Sequence, residues 1–269
     1  MTTFLFWNLK KKPLQENIRR LALRHNIDVL MFAEFSIGPV GLLKVLNRNT
    51  ADFFYAPGNC LKIEIFTRFI DDFIKPVYES DRLTVRHLKL PAMMDILLAV
   101  SHFPSKNHWK DSSQAFECAE LSEEIRRIEK DVGHSRTVLV GDFNMNPFED
   151  GVVSGNGFNA VMSRHIAEKK SRVVQDMTYP FFYNPMWSLF GDASPGPPGT
   201  YYNSRSEHIS FFWYMFDQVL IRPDLLDSFS NKDLEILDSD GEISFLTKNG
   251  IPDDRIVSDH LPIIFKLRL

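Results

Sequence analysis

Six apolar runs of strand length each end at, or begin just after, a polar residue suited to catalysis, and this recurrence restricts the possible folds more than any other feature. Phe4-Leu-Phe-Trp7 ends in Asn8, Val29-Leu-Met-Phe-Ala33 in Glu34, and Ile96-Leu-Leu-Ala-Val-Ser101 in His102. Thr137-Val-Leu-Val140 runs into Gly141-Asp-Phe-Asn144, where the glycine marks a turn that carries Asp142 and Asn144 past the end of a buried strand. Asp217 heads Gln218-Val-Leu-Ile221, and Ser258-Asp-His260 precedes Leu261-Pro-Ile-Ile-Phe265. Such runs predict buried strands whose ends gather the polar groups on one rim.

Between them, Leu14, Ile18, Leu21 and Ala22 mark one amphipathic helix, and Cys118, Leu121, Ile125, Ile128 and Val132 mark a longer one. Asp111 with Gln114 reads as a capping box starting the longer helix. Lys62 to Phe69, Arg82 to Leu90 and Met94 to Ser101 are strand candidates with no helix between them, an α+β pattern of antiparallel pairs with helices outside. Residues 155–212 lack clean periodicity and read as a long loop over the sheet ends. Phe181, Phe182 and Trp187 are expected to form a minicore there, with some of Tyr179, Tyr183, Tyr201, Tyr202 and Trp213 facing the site.

With 269 residues, 44% of them hydrophobic, the chain can bury a large core, and one domain over 1–269 is expected. Two cysteines, Cys60 and Cys118, exclude a disulfide framework and point to a reducing compartment. The apolar start is too short for a signal-peptide core, and no stretch is apolar enough to span a bilayer, so a cytoplasmic protein without membrane insertion is expected.

In chain order, the set Asn8, Glu34, His102, Asp142 with Asn144, Asp217, and Asp259 with His260 resembles the endonuclease/exonuclease/phosphatase superfamily, which includes deoxyribonuclease I and exonuclease-III-like enzymes. The resemblance spans residues 3–267. It implies a four-layer α/β/β/α sandwich of two mainly antiparallel sheets packed face to face, and metal-dependent phosphoester hydrolysis.

That chemistry needs a hard cation, an activated water and support for the departing oxygen. Glu34 is the expected ligand of Mg²⁺, with Mn²⁺ as a substitute, because such ions take oxygen donors and keep several waters. Asn8 and Asp259 complete or support its shell. Asp142 and Asn144 would hold the attacking water and a phosphate oxygen, and Asp217 would fix the His260 imidazole and favour its charged form. The resemblance places His102 on the leaving-group side. Lys106, Lys10 and Asn184 are candidate substrate contacts. Glu64 is a poor acidic partner for His102, because Lys62-Ile-Glu-Ile-Phe-Thr-Arg68 departs from the family's glycine-containing pattern.

Taken singly, each residue has a bland reading as a turn former or a solvated charge. Jointly, Glu34, Asp142, Asp217 and Asp259 would crowd one rim, where an unpaired buried ion costs several kcal/mol, and a cation resolves the repulsion. His25, His87, His108, His134, His165 and His208 read as structural or solvated.

A net charge of −4 gives no global attraction to nucleic acid. Local basic groups at Lys10 to Lys12, Lys106 to Lys110 and Lys169 to Arg172 favour it modestly. A nuclease-like phosphodiesterase leads. The alternatives are a hydrolase of a small phosphorylated metabolite or lipid headgroup, and a non-catalytic binding module. A sphingomyelinase-like lipid role would need an exposed apolar hairpin, and none is evident in the sequence. Oligomeric state is not encoded in any motif.

Overall fold

The computed structural model describes residues 1–49, 52–106, 109–206 and 208–269; His108 lies outside the described residues. In chain order β1 (Thr2–Asn8) is followed by α1 (Gln15–Arg24), β2 (Val29–Ala33), α2 (Pro39–Leu46), β3 (Phe54–Tyr55) and β4 (Ile63–Thr67). Next come β5 (Ile74–Glu79), β6 (Leu83–Leu88), β7 (Ile96–His102), α3 (Asp111–Val132) and β8 (Thr137–Asp142). Short elements follow: α4 (Asp150–Val153), β9 (Ala160–Val161), α5 (Arg164–Ala167), β10 (Ser171–Val174), β11 (Met177–Pro180), β12 (Phe182–Tyr183), β13 (Tyr201–Tyr202) and β14 (Trp213–Tyr214). The remaining strands are β15 (Asp217–Ile221), β16 (Phe229–Ile236) and β17 (Ile263–Leu267).

Two sheets dominate, ordered β16-β17-β1-β2-β4-β3 and β5-β6-β7-β8-β15-β12-β9. Most neighbours are antiparallel; β1/β2, β7/β8 and β9/β12 run parallel. Side-chain alternation builds the layers, since successive residues of a strand point to opposite faces. Leu98 and Val100 of β7 and Val138 and Val140 of β8 join Phe4, Phe6 and Phe265 in one core between the sheets. Leu97, Ala99 and Leu139 face the other way, onto Cys118, Leu121, Ile125 and Ile128 of α3. Each such large apolar side chain contributes roughly 1.5–3 kcal/mol on burial. The result is the α+β sandwich the resemblance implies. Both cysteines are buried and unpaired. Among the described residues no helix is long and apolar enough to cross a membrane.

Several expectations need correction. Strands β5 and β16 escape the apolar-run criterion because they are edge strands: Ile74-Lys-Pro-Val-Tyr-Glu79 carries a proline and exposed side chains that only a sheet edge tolerates. The long helix begins without a side-chain cap; Gln114 is fully buried, and its amide donates to the carbonyls of Pro104 and Asn144. Residues 155–212 are not one loop: β10 and β11 form a hairpin, and β9 and β12 extend the second sheet. Phe181, Phe182 and Tyr183 are buried there, and the Tyr183 hydroxyl donates to Asn231, far from a role in stacking on substrate.

Candidate active site

Strand register brings three of the polar groups abreast. His102 of β7 pairs with Asp142 of β8, and Asp142 pairs with Asp217 of β15. In the other sheet Asn8 pairs with Ala33, so Glu34 emerges just past the end of β2, in a left-handed conformation (φ 48°) that costs a non-glycine residue energy. The segment leading into β17 is fixed to β1 of the same sheet: Ser258 Oγ donates to the Asn8 carbonyl at 2.6 Å, and Trp7 Nε1 donates to the His260 carbonyl at 2.8 Å. Glycine at 141 is required by a close approach, because a Cβ there would lie 1.9 Å from the Ser101 carbonyl oxygen.

These elements enclose a cavity of about 400 Å³ lined by Asn8, Glu34, His102, Asp142, Asn144, Asp259 and His260, with Lys10 and Lys106 at its walls. His260 Nδ1 lies 2.8 Å from Asp217 Oδ2, and both residues are buried. Burial opposes a charge on the imidazole, but Asp217 and Asp142 outweigh it and hold His260 in its protonated form well above the usual histidine range. Burial lifts the Asp217 carboxyl against the pull of His260. The pair therefore shares its proton as a unit, with Nε2 of the imidazolium directed away from Asp217. Asp142 Oδ2 accepts from Asn8 Nδ2 at 2.9 Å and lies 3.6 Å from His102 Nε2 and 3.9 Å from His260 Nε2. Burial pushes His102 below the usual range, against Asp142 and Glu34, the latter 3.9 Å away. Glu64 is not its partner: it pairs with Tyr55, and His102 Nδ1 is buried with no hydrogen-bond partner.

The donor set fits a hard divalent cation. Glu34, Asp142 and Asp259 converge on one cavity, all oxygen donors. Lys10 Nζ lies 2.9 Å from Asp259 and 3.1 Å from Asp254, and Lys106 is held by Asp111 and Glu149, so among the described residues the cavity's inner carboxylates Glu34 and Asp142 have no lysine partner. Asp142, Asp217 and His260 also place ligand-capable atoms within 4.8 Å of one another. Within that set His260 Nδ1 and Asp217 Oδ2 already face each other at 2.8 Å, which leaves Asp142 as the member open to the cavity. Asn8 has both amide atoms engaged, Oδ1 accepting from the Lys10 backbone, and so orients Asp142. The Asn144 backbone N–H donates to Asp142 Oδ1 at 2.9 Å, and its Nδ2 donates to the Phe103 carbonyl, leaving one amide hydrogen for the cavity.

Asn184 is the candidate the structure removes. It is fully buried, donating to Gln218 Oε1 and accepting from the Met186 N–H, and does not line the cavity. Ser105, Asn203, Arg205, Tyr214 and Phe216 line it without having been singled out. The paired aromatics Tyr201-Tyr202 and Trp213-Tyr214, now seen as the β13/β14 hairpin, were the available signal.

No family model and no curated relative matches this chain. Solved structures do match over its full length. The endonuclease domain of TRAS1, a telomere-specific non-LTR retrotransposon, is 14% identical with a TM-score of 0.55, covering 100% of this chain and 99% of that one. TDP2 of D. rerio, complexed with a single-strand DNA product, is 14% identical with a TM-score of 0.57, also covering 100% and 99%. The human Nocturnin catalytic domain with bound sulfate anion is 15% identical with a TM-score of 0.55, covering 99% and 93%. The chain has the fold of the endonuclease/exonuclease/phosphatase proteins.

Proposed function

We propose that the protein is a divalent-metal-dependent phosphodiester hydrolase acting on nucleic acid. The observation that carries this reading is the convergence of Glu34, Asp142 and Asp259 on one cavity beside a buried imidazolium held by Asp217. Glu34 and Asp259 would hold Mg²⁺ or Mn²⁺, with Asn8 orienting Asp142 beside it. When bound, such an ion neutralises phosphate charge and lowers the pKa of water.

The chain's own groups divide the remaining work. His260 presents a cationic Nε2–H to a phosphate oxygen, because its Nδ1 faces Asp217. Asp142 Oδ2, between two imidazoles, is the acceptor for the proton of an attacking water. As the water oxygen bonds to phosphorus and the P–O ester bond breaks, the water's proton passes to Asp142 and the departing oxygen takes a proton from solvent on the side that the neutral His102 lines. Hydrolysis by direct attack leaves no covalent intermediate. Lys10 and Lys106 on the walls would contact flanking phosphates, and a DNA product in the TDP2 structure and the nuclease in TRAS1 favour nucleic acid over a small phosphoester.

A metal-supplemented assay against single-stranded DNA, duplex DNA, RNA and a bis-aryl phosphodiester tests the reading, with Asp142→Asn as the control. Metal-dependent cleavage lost in Asp142→Asn is expected; no cleavage of any substrate overturns it. Binding should weaken with salt at a slope of roughly 0.7–0.9 per neutralised phosphate, whereas a flat response assigns a small substrate.

A further inference from the structure

Contrary to the sequence reading, the molecule carries an exposed apolar hairpin. Between β13 and β14, Ile209, Phe211 and Phe212 are 77%, 50% and 52% exposed, beside the cavity-lining Asn203, whose N–H donates to the Phe212 carbonyl. Phe212 adopts a left-handed φ of 61°, a conformation an aromatic residue seldom takes, so the hairpin is held in shape rather than collapsed.

The rings do not form a random patch. Starting from Phe216 in the cavity wall, Tyr214 follows at 5.0 Å between centroids, Phe211 at 5.9 Å from Tyr214, and Phe148 at 5.4 Å from Phe211. Phe190 and Trp187 continue the row at 6.2 Å and 6.1 Å from Phe148. Exposure is greatest in the middle, at Phe211 and Phe148, between the buried Phe216 in the cavity wall and the half-buried Phe190 and Trp187.

We propose that this row is a stacking track for the unpaired bases of a single strand whose scissile phosphate sits in the cavity. The inference rests on the phosphodiesterase reading and names its substrate form. Every base offers a flat face to an aromatic ring whatever its sequence; the exposed Phe211 and Phe148 supply such faces, turned from their neighbours by 87° at Tyr214/Phe211 and 59° at Phe211/Phe148, so bases would stack on them singly rather than as one column. Lys106 and Arg205, at the same cavity, lie where the flanking backbone would pass. A duplex keeps its bases stacked on each other and cannot use the track. A lipid surface is the weaker fit, because Phe211 is packed against Tyr214 and Phe148 and is only half exposed.

The test is binding of labelled oligothymidylates of increasing length, and of the matching duplex, to the intact protein in EDTA. Single strands should bind more tightly than duplex, with affinity rising over the first few nucleotides and then levelling. Phe211→Ala should weaken the longer single strands about 5- to 150-fold, the fold-change for losing one base–ring stack. Phe211→Leu keeps the apolar volume without the ring and should show most of the same loss; Phe148→Ala is an independent variant further along the row. Full affinity in Phe211→Leu, no length dependence, or preferential capture of phosphatidylserine-containing vesicles lost in Ile209→Ser would overturn the track. Ring-dependent binding without turnover of any phosphodiester sinks the hydrolase reading alone. Turnover with ring-independent binding sinks the track alone.

Discussion

Two histidine–carboxylate clusters sit at opposite ends of the same strands, and the proposed chemistry belongs to only one of them. At one end of β7, Asp95 accepts from His87 Nε2 at 2.8 Å and His134 Nε2 at 3.2 Å, with the Arg136 guanidinium on its other oxygen. The three side chains are partly exposed, the arginine balances the carboxylate, and the Arg136 N–H occupies His134 Nδ1. Although burial raises the Asp95 carboxyl, the His87 and Arg136 hydrogen bonds hold it well below the usual carboxylate range. About 20 Å away, at some 3.3 Å per strand residue, the His260–Asp217–Asp142 cluster is buried, and among the described residues Asp217 Oδ1 and the neighbouring His102 Nδ1 have no hydrogen-bond partner. A structural cluster closes its own charge balance. A reactive one leaves groups over, and the difference lies in the surroundings, not in the residue types.

The sharpest way to break this contrast is to remove one imidazole from each end. His260→Ala should cut hydrolysis roughly 10²–10⁴-fold, the usual worth of a positioned proton-transfer group, while His134→Ala leaves turnover within about twofold. Steady-state rates of the two variants decide it, and equal losses would erase the distinction. Asn8→Ala, which frees the Asp142 carboxylate, should lower divalent-cation affinity about 10–100-fold, read by calorimetric titration; an unchanged affinity would place Asp142 outside the metal's surroundings. Saturating Mg²⁺ at 100 times its Kd should stabilise the wild type by about 2.7 kcal/mol, visible as a higher unfolding midpoint that Glu34→Gln diminishes. The same measurement on Asp95→Asn should still show the metal-induced gain.

The smallest effect concerns acid. Because the folded-state Asp95 carboxyl titrates below its unfolded value of 3.8, its stabilisation is present above about pH 4 and is lost as the pH falls through the lower folded value. Asp95→Asn should therefore flatten the acid limb of a stability–pH curve obtained by denaturant unfolding. A curve that keeps its acid slope would show the lower cluster to be inert.

Much of this arrangement was legible in the chain. Asn8, Glu34, His102, Asp142, Asp217, Asp259 and His260 all follow or precede apolar runs, and strands buried on both faces announce themselves that way. Edge strands β5 and β16 do not, because solvent on one side removes the apolar pattern. Asn184 misled for a related reason: an amide beside aromatics reads the same whether it faces a ligand or, as here, bonds Gln218 inside the core. The track was hidden because Phe148 and Phe211 are 63 positions apart, brought together only by the packing of the hairpin. Gln114 shows the same limit; what reads as a local cap is a long-range tether on Asn144.

Strand β1 pairs with β2 on one side and with β17 on the other, and Ser258 and His260 clasp Asn8 and Trp7 across some 250 residues. A chain part-way through translation thus has Asn8 and Glu34 in place but neither Asp259 nor the imidazolium. The cavity is therefore complete only when the distant C-terminal segment has docked on β1.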